Sequence, residues 1–398
     1  MKFQLVDTDE AKAAGGTDRA LARGGVENIG STAIVRYEAD GAPAITETGE
    51  ILEHKVAVEH VLALLTRKET GVVASRREIE AVGHRVVHGG EHFQSSVRID
   101  ERVLAAIEAC FDLAPLHNPP NVKGYRAARE LLPDVPQVAV LDTSFHQTME
   151  PRAFLYGLPY VLYQRHGVRR YGFHGTSHRF VSRRLAELVG RADDESLRVI
   201  TCHLGNGCSL AAVRGGRSVD TSMGFTPLEG LVMGSRSGDL DPAILLHLAA
   251  KEELGSAELN ALLNKHSGLI GISGLSNDMR KLLEAEATGN GRAGLAVEIF
   301  CYRLRKYVAA YVGALGGLDA LAFGGGIGEN SPAIRARSLE GLGAMGLCLD
   351  AARNEAARGR EAEISPEGSA TGVFVVPTNE ELLIARDTFA IVRGLPLR

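Results

Sequence analysis

Along this chain, short apolar runs of strand length alternate with longer segments of helical periodicity, and that alternation limits the possible folds more than any other feature. Strand-like runs lie at Lys2–Asp7, Thr32–Tyr37, Val82–Val87, Gln137–Leu141, Arg198–His203, Ser209–Val213, Ala320–Phe323 and Gly372–Val376. Helical patterns fill the spaces at Glu50–Leu65, Glu101–Cys110, Val122–Leu132, Arg179–Leu188, Pro242–Lys251, Ala257–Lys265, Asn277–Ala287 and Ala293–Leu315. Strands alternating with helices pack as α/β layers. With 398 residues the chain is too long for one core and suits two domains. No linker of biased composition divides it, because its 46 glycines sit in short loops between the apolar runs.

Composition removes several classes of function. Lys and Arg number 44 against 49 Asp and Glu, so there is no basic surplus with which to neutralise a nucleic-acid backbone. Any anion site must therefore be local. Five scattered cysteines (Cys110, Cys202, Cys208, Cys301 and Cys348) include no C-x-x-C pair, which argues for buried thiols in a reducing compartment. The most apolar long stretch, Tyr307 to Gly328, is interrupted by Asp319 and rich in glycine, so no membrane span is expected and the protein is placed in the cytoplasm.

Several glycine-rich segments carry polar residues that a core would not tolerate. Gly83-His-Arg-Val-Val-His-Gly-Gly90 sets Arg85 on a strand running into a turn. His84, His88 and His92 have the spacing of a helical metal site, but the intervening valines and glycines favour a strand, on which they would not converge. Leu116-His-Asn-Pro-Pro-Asn121 reads as a rigid turn before a helix. Asp142 follows an apolar run and so stands at the carboxyl end of a strand, where open α/β sheets bind ligands. In Tyr171-Gly-Phe-His-Gly-Thr-Ser-His178, His174 lies between glycines in a loop expected to end on an N-cap at Thr176 or Ser177.

Val199 to Val213, interrupted by Gly205-Asn-Gly207, reads as a β-hairpin whose turn residues tolerate positive φ. Arg236, in Met233-Gly-Ser-Arg-Ser-Gly-Asp-Leu-Asp241, sits on a flexible loop suited to clamping a carboxylate or phosphate in bidentate fashion. Gly324-Gly-Gly-Ile-Gly-Glu-Asn330 follows a strand and precedes a helix, which lets the backbone approach a nucleotide. It is neither a P-loop nor a dinucleotide fingerprint.

Taken in order, GHRVVHGG, DTSFHQTM, YGFHGTSH, HLGNGCSL, MGSRSGDLDP, FGGGIGEN and TNEE resemble the acetokinase family, within the superfamily of acetate and sugar kinases, Hsp70 chaperones and actin. The resemblance runs from Lys2 to the carboxyl terminus. It implies two duplicated, actin-like (ribonuclease H-like) α/β domains with the site in a cleft between them: residues 1–144, to which a helix at 382–398 returns, and residues 145–381, which bind nucleotide and dimerise. It implies ATP and Mg²⁺, or Mn²⁺ in its place, acting on acetate to give acetyl phosphate and ADP. Propionate or butyrate kinase, or a non-catalytic nucleotide-binding protein, are the alternatives.

By the same resemblance Arg85 and Arg236 hold the acyl substrate and the migrating phosphoryl group, His174 stabilises the transition state, Asp142 is an active-site acid and Glu380 holds the metal. Nucleotide contacts fall to Lys2, to His203, Leu204, Gly205, Asn206 and Gly207, to Asp278, Met279 and Arg280, and to Gly326, Ile327, Gly328, Glu329 and Asn330. Val87, Leu116, Phe173 and Pro227 form the acyl pocket. The likeness departs at the start, where the family has a strand and an N-x-G-S-S-S-L loop immediately before K-F-Q-L and this sequence opens Met1-Lys-Phe-Gln-Leu. The chain as given is accordingly expected to lack an Asn near the metal, serines near the phosphates and one strand beside Lys2–Asp7, and to be nearly inactive.

Overall fold

The computed structural model describes residues 1–115 and 117–397, which divide into two compact units. Unit 1 comprises Met1–Ser144 with the stretch from Asn379 onward, and unit 2 comprises Phe145–Thr378. Among the described residues no helix is long and apolar enough to cross a membrane.

Unit 1 carries two sheets. Strands β1 (Lys2–Asp7), β2 (Arg19–Glu27), β3 (Ser31–Ala39) and β4 (Ile45–Ile51) form an antiparallel meander in that order. Strands β5 (Val82–Val86), β6 (Val97–Arg98) and β7 (Gln137–Leu141) form the second, ordered β5-β7-β6, with β5 and β7 parallel. The helix His54–Leu65 contributes Ala57, Val61, Leu62, Leu64 and Leu65 to the core over the first sheet, where they join Val26, Val35 and Tyr37. The helical pattern expected from Glu50 starts four residues late, because Glu50 and Ile51 pair with Thr32 and Ser31 in the sheet. Tertiary pairing there overrides local periodicity. Strand β2 has no clear period in sequence, yet its Gly24 is required: a Cβ there would stand 2.1 Å from the Arg36 carbonyl oxygen.

Unit 2 is built on one six-stranded sheet, ordered β10-β9-β8-β11-β13-β12, from β8 (Arg198–Leu204), β9 (Cys208–Arg214), β10 (Arg217–Thr221), β11 (Ala320–Gly324), β12 (Ala362–Glu363) and β13 (Gly372–Val375). The central strands β9 and β11 are buried almost throughout, as expected when helices cover both faces. Val181 and Leu185 of the helix Gly175–Leu188 pack on Val199, Ala211, Val213, Ala320 and Ala322. Residues that alternate with these point to the other face, and the helix Gly291–Leu315 packs against β8 and β9.

Candidate active site

In unit 1 the parallel pairing of β5 with β7 brings their carboxyl ends to one place. Arg85 stands opposite Val140 and Val86 opposite Leu141, and the Asp142 amide donates to the Val86 carbonyl at 2.9 Å. Arg85 Nη2 donates to Asp142 Oδ2 at 2.5 Å, and its Nε lies 3.8 Å from Glu380 Oε2. Glu380 opens the helix Glu380–Arg393, capped by Asn379, whose side-chain oxygen accepts from the Leu382 amide. That helix can lie close on β5 because residue 83 is glycine: a Cβ there would meet Thr388 Oγ1 at 2.3 Å.

Burial pushes the Glu380 carboxyl up to about 7; the Asp142 charge adds to the rise, and Arg85 and Lys2 oppose it. The Arg85 guanidinium is held above its ordinary value, chiefly by Asp142. A carboxyl raised by burial and by a neighbouring negative charge favours a cation beside it. Among the described residues no group of three or more His, Cys, Asp or Glu side chains could hold a metal.

In unit 2, β8 and β9 form the hairpin expected from the sequence, with Leu204 opposite Cys208. The reason for its glycines differs from the one expected: none of Gly205, Asn206 and Gly207 takes the left-handed φ. Close approach is the constraint instead. A Cβ on Gly207 would lie 3.2 Å from Arg236 Nη2 and 3.4 Å from His174 Nε2, and one on Gly234 would lie 1.9 Å from Asn206 Oδ1. The turn, His174 and Arg236 thus converge.

His174 caps the helix Gly175–Leu188 with a left-handed φ of 55°, displacing the cap expected at Thr176 or Ser177, which are helical and buried. Its ring stacks on His203 at 4.3 Å, and its Nδ1 lies 2.8 Å from Ser209 Oγ. The Arg236 loop is tied down rather than flexible. Gly230 and Asp239 exchange hydrogen bonds, Tyr307 donates to Asp239, and the Leu269 amide donates to Met233. Arg236 Nη1 donates to the Pro227 carbonyl at 2.7 Å, and burial lowers the guanidinium below its ordinary proton affinity. An arginine so desolvated is primed for an anion.

Parallel pairing of β8 with β11 sets Gly324 beside His203, and Gly325, at φ 74°, approaches the Leu204 backbone where a Cβ would meet its carbonyl oxygen at 2.7 Å. The short helix Gly325–Asn330 follows. Gly326 and Asn330 are exposed and a Cβ on Gly326 would meet nothing, so this edge is open to a ligand. Glu329 turns inward and accepts from the Gly325 and Thr378 amides at 2.9 and 3.0 Å. Fully buried Arg335 donates to the carbonyls of Gly328, Glu329, Asn354 and Ala357. Asp278 caps the helix Met279–Ala287 and pairs with exposed Arg280, while the Met279 side chain is buried.

The expected site residues therefore gather in two clusters: Arg85, Asp142 and Glu380 in unit 1, and His174, His203, Gly207 and Arg236 with Pro227 in unit 2. Lys2 is exposed on β1, with its charge felt at Glu380. Val87 is buried in unit 1, its amide donating to Asn121; Phe173 is buried in unit 2; Leu116 lies outside the described residues. His84 bonds Gln137, and Asn118 bonds the His88 backbone, so these histidines serve the fold. Sequence reasoning passed over Ser209, His178, Glu329's inward role and Arg335; the serine and the second histidine lay inside quoted motifs but carried no spacing signal.

One arginine held by carboxyls at parallel-strand ends, and a second, desolvated arginine beside a glycine turn of an α/β sheet, are the kind of equipment phosphoryl transfer uses. The sequence matches the Acetokinase family over residues 1–386, and the chain belongs to that family of ATP-dependent carboxylate kinases, which use a divalent metal. It is 49% identical to acetate kinase of Caldanaerobacter subterraneus over 397 residues, spanning 99% of this chain and 97% of that one. It is 51% identical to acetate kinase of Desulfitobacterium hafniense over 395 residues, 99% of this chain and 96% of that one. The crystal structure of Porphyromonas gingivalis acetate kinase matches with TM-score 0.93 at 45% identity, covering 98% of this chain and 96% of that one. A propionate kinase from Francisella tularensis matches with TM-score 0.89 at 41% identity over 99% of this chain and 96% of that one. The fold is accordingly the duplicated actin-like ATPase fold of the acetate kinases.

Proposed function

We propose that this acetate kinase activity is carried by the two clusters above, through reversible in-line transfer of the γ-phosphoryl group of ATP to acetate. A carboxylate oxygen forms the new O–P bond as the β–γ bridging bond breaks, and the electron pair leaves with ADP. The observation that carries this reading is the convergence of Arg236, His174 and the Gly207 backbone on one spot, which supplies donors for a migrating phosphoryl group. Acetate is already ionised at neutral pH, so no general base is needed. Asp142 instead orients Arg85, whose fork matches a carboxylate.

Glu380 and Asp142 would hold Mg²⁺, or Mn²⁺ in its place, and the ion when bound would neutralise charge on the nucleotide phosphates. Lys2, His203–Gly207, Asp278–Arg280 and Gly326–Asn330 serve the nucleotide. Val87, Phe173 and Pro227, with Leu116, limit the acyl group. A second copy of the chain is the partner: the helix Ala243–Lys251 has no buried residue, and Ile244 and Leu246 stand 46% and 76% exposed. Five free cysteines fit a cytoplasmic setting.

The test is acyl phosphate formation from ATP with acetate or propionate, with and without Mg²⁺. Acetate is preferred, and Val87→Ala shifts kcat/KM toward propionate by about 10-fold, the low end of what one methylene discriminates. Nucleotide binding without acyl phosphate from either acid would overturn the enzymatic reading, and an unchanged ratio would remove Val87 from the pocket.

A further inference from the structure

Behind His174 lies a set of polar side chains that the chemistry above does not use. His178 is buried in the helix Gly175–Leu188, with Nδ1 2.7 Å from Thr201 Oγ1 and Nε2 2.7 Å from Ser209 Oγ. Ser209 Oγ also stands 2.8 Å from His174 Nδ1. Thr201, on β8, and Ser209, on β9, are 1% and 0% exposed. Burial, together with the neighbouring His146 and His203, holds the His178 ring well below its ordinary proton affinity, so it is neutral and has one N–H.

A hydroxyl has one proton, so Ser209 donates to one histidine and accepts from the other. Only two directions are self-consistent. If Thr201 donates to His178 Nδ1, then His178 Nε2–H donates to Ser209, Ser209 donates to His174 Nδ1, and every proton in the chain is used. In the opposite direction His174 Nδ1–H donates to Ser209 and His178 Nδ1–H donates to Thr201. The Thr201 proton then has no acceptor among these groups in a fully buried site, which is costly. The first direction wins.

We propose that Thr201, His178 and Ser209 are positioning residues that form a one-way hydrogen-bond relay, fixing His174 as the tautomer with its proton on Nε2. His174 Nε2 and Arg236 Nη2 lie 3.4 and 3.2 Å from one point, where a Cβ on Gly207 would stand. With its proton there, Nε2 of His174 offers an N–H beside the guanidinium, and the relay prevents it from turning an acceptor lone pair toward phosphate oxygens. This deepens the catalytic reading of His174 and rests on it.

The test joins nitrogen NMR of the histidine rings with kinetics. In the full-length protein the His174 ring, assigned by its loss in His174→Gln, shows the Nε2–H tautomer, and Ser209→Ala converts it to a mixture. Ser209→Ala lowers kcat by about 10–100-fold with KM for ATP and acetate changed less than about 3-fold, the scale of one positioned proton donor. Ser209→Thr restores most of the rate, and Ser209→Ala adds no loss in the His174→Ala background. An Nδ1–H tautomer in the unsubstituted protein, or an equal loss in both backgrounds, would overturn the relay. His174→Ala with undiminished kcat would instead sink the catalytic reading, and the tautomer spectrum would still decide the relay by itself.

Discussion

The cluster in unit 1 is made of ionisable groups of opposite charge, an arginine between two carboxyls at the end of a three-stranded sheet, whereas the cluster in unit 2 is made of imidazole rings, hydroxyls and backbone around one desolvated arginine. The sheets differ in the same sense. In unit 2, β8 lies inside a continuous sheet, antiparallel to β9 and parallel to β11, and its turn supplies the site. In unit 1, β1 and β5 belong to separate sheets and each is paired on one side only among the described residues. In unit 1 the arginine's charge is answered within the cluster by Asp142 and Glu380, whereas unit 2 leaves its arginine waiting for the substrate's charge.

The largest consequence is for the arginines. Arg85→Ala and Arg236→Ala each lower kcat/KM by about 10²–10³-fold, the scale of a lost transition-state charge contact. They separate in stability. Arg85→Ala removes the cation paired with the Asp142 carboxylate, which is 1% exposed, so its melting temperature falls by several degrees. Arg236→Ala removes a guanidinium that gains only a backbone carbonyl for its desolvation, and its melting temperature changes little. Wild-type kinetics in both variants would dissolve the site assignment, and equal melting shifts would break the contrast between the clusters.

Hydrogen exchange probes the sheets. Amides of β1 exchange about 10–100-fold faster than those of β8, because a strand paired on one side opens at lower free energy than one held on both. Equal protection, read peptide by peptide, would show that the two units share one stability.

The parts legible in sequence were those with a local signature. Apolar runs located β5, β7, β8 and β11, and glycine-bracketed polar residues pointed to Arg85, His174 and Arg236. Strands β2, β4 and β10 escaped, since RALARGGVE and ITETGEI owe their strand state to neighbours in the sheet and to Gly24's clearance rather than to alternation. The Ser209 relay escaped for a related reason: a serine between Cys208 and Leu210 looks like filler until the fold brings two histidines to it from another element. The glycines of the 205–207 turn were found for the wrong cause, φ instead of clearance.

The smallest effect expected is a slope of stability with pH, and it belongs to unit 1. The Glu380 carboxyl, raised from 4.5 to about 7, binds its proton more tightly in the folded protein than in the unfolded chain. Stability from this source is complete below the unfolded value and is lost as pH rises through about 7. Measured against Glu380→Gln, the metal-free protein should therefore lose about 2–6 °C of melting temperature between pH 5 and 8, a shift of the size one or two kcal/mol produces in a domain of this kind. Glu380→Gln removes the charge and with it that downward slope, while raising the Mg²⁺ concentration needed for activity. Added Mg²⁺ competes with the proton, so it should flatten the slope in the unsubstituted protein and carry the acid limb of kcat/KM to lower pH. His178, held neutral by burial, gives unit 2 a slope of the opposite sign, stability gained as pH rises toward the ordinary histidine value, so the Glu380 contribution is read as the difference between the unsubstituted protein and Glu380→Gln. A loss of stability with rising pH that is as large in Glu380→Gln, or an acid limb indifferent to Mg²⁺, would mean that the charged cluster is not where protons and metal meet.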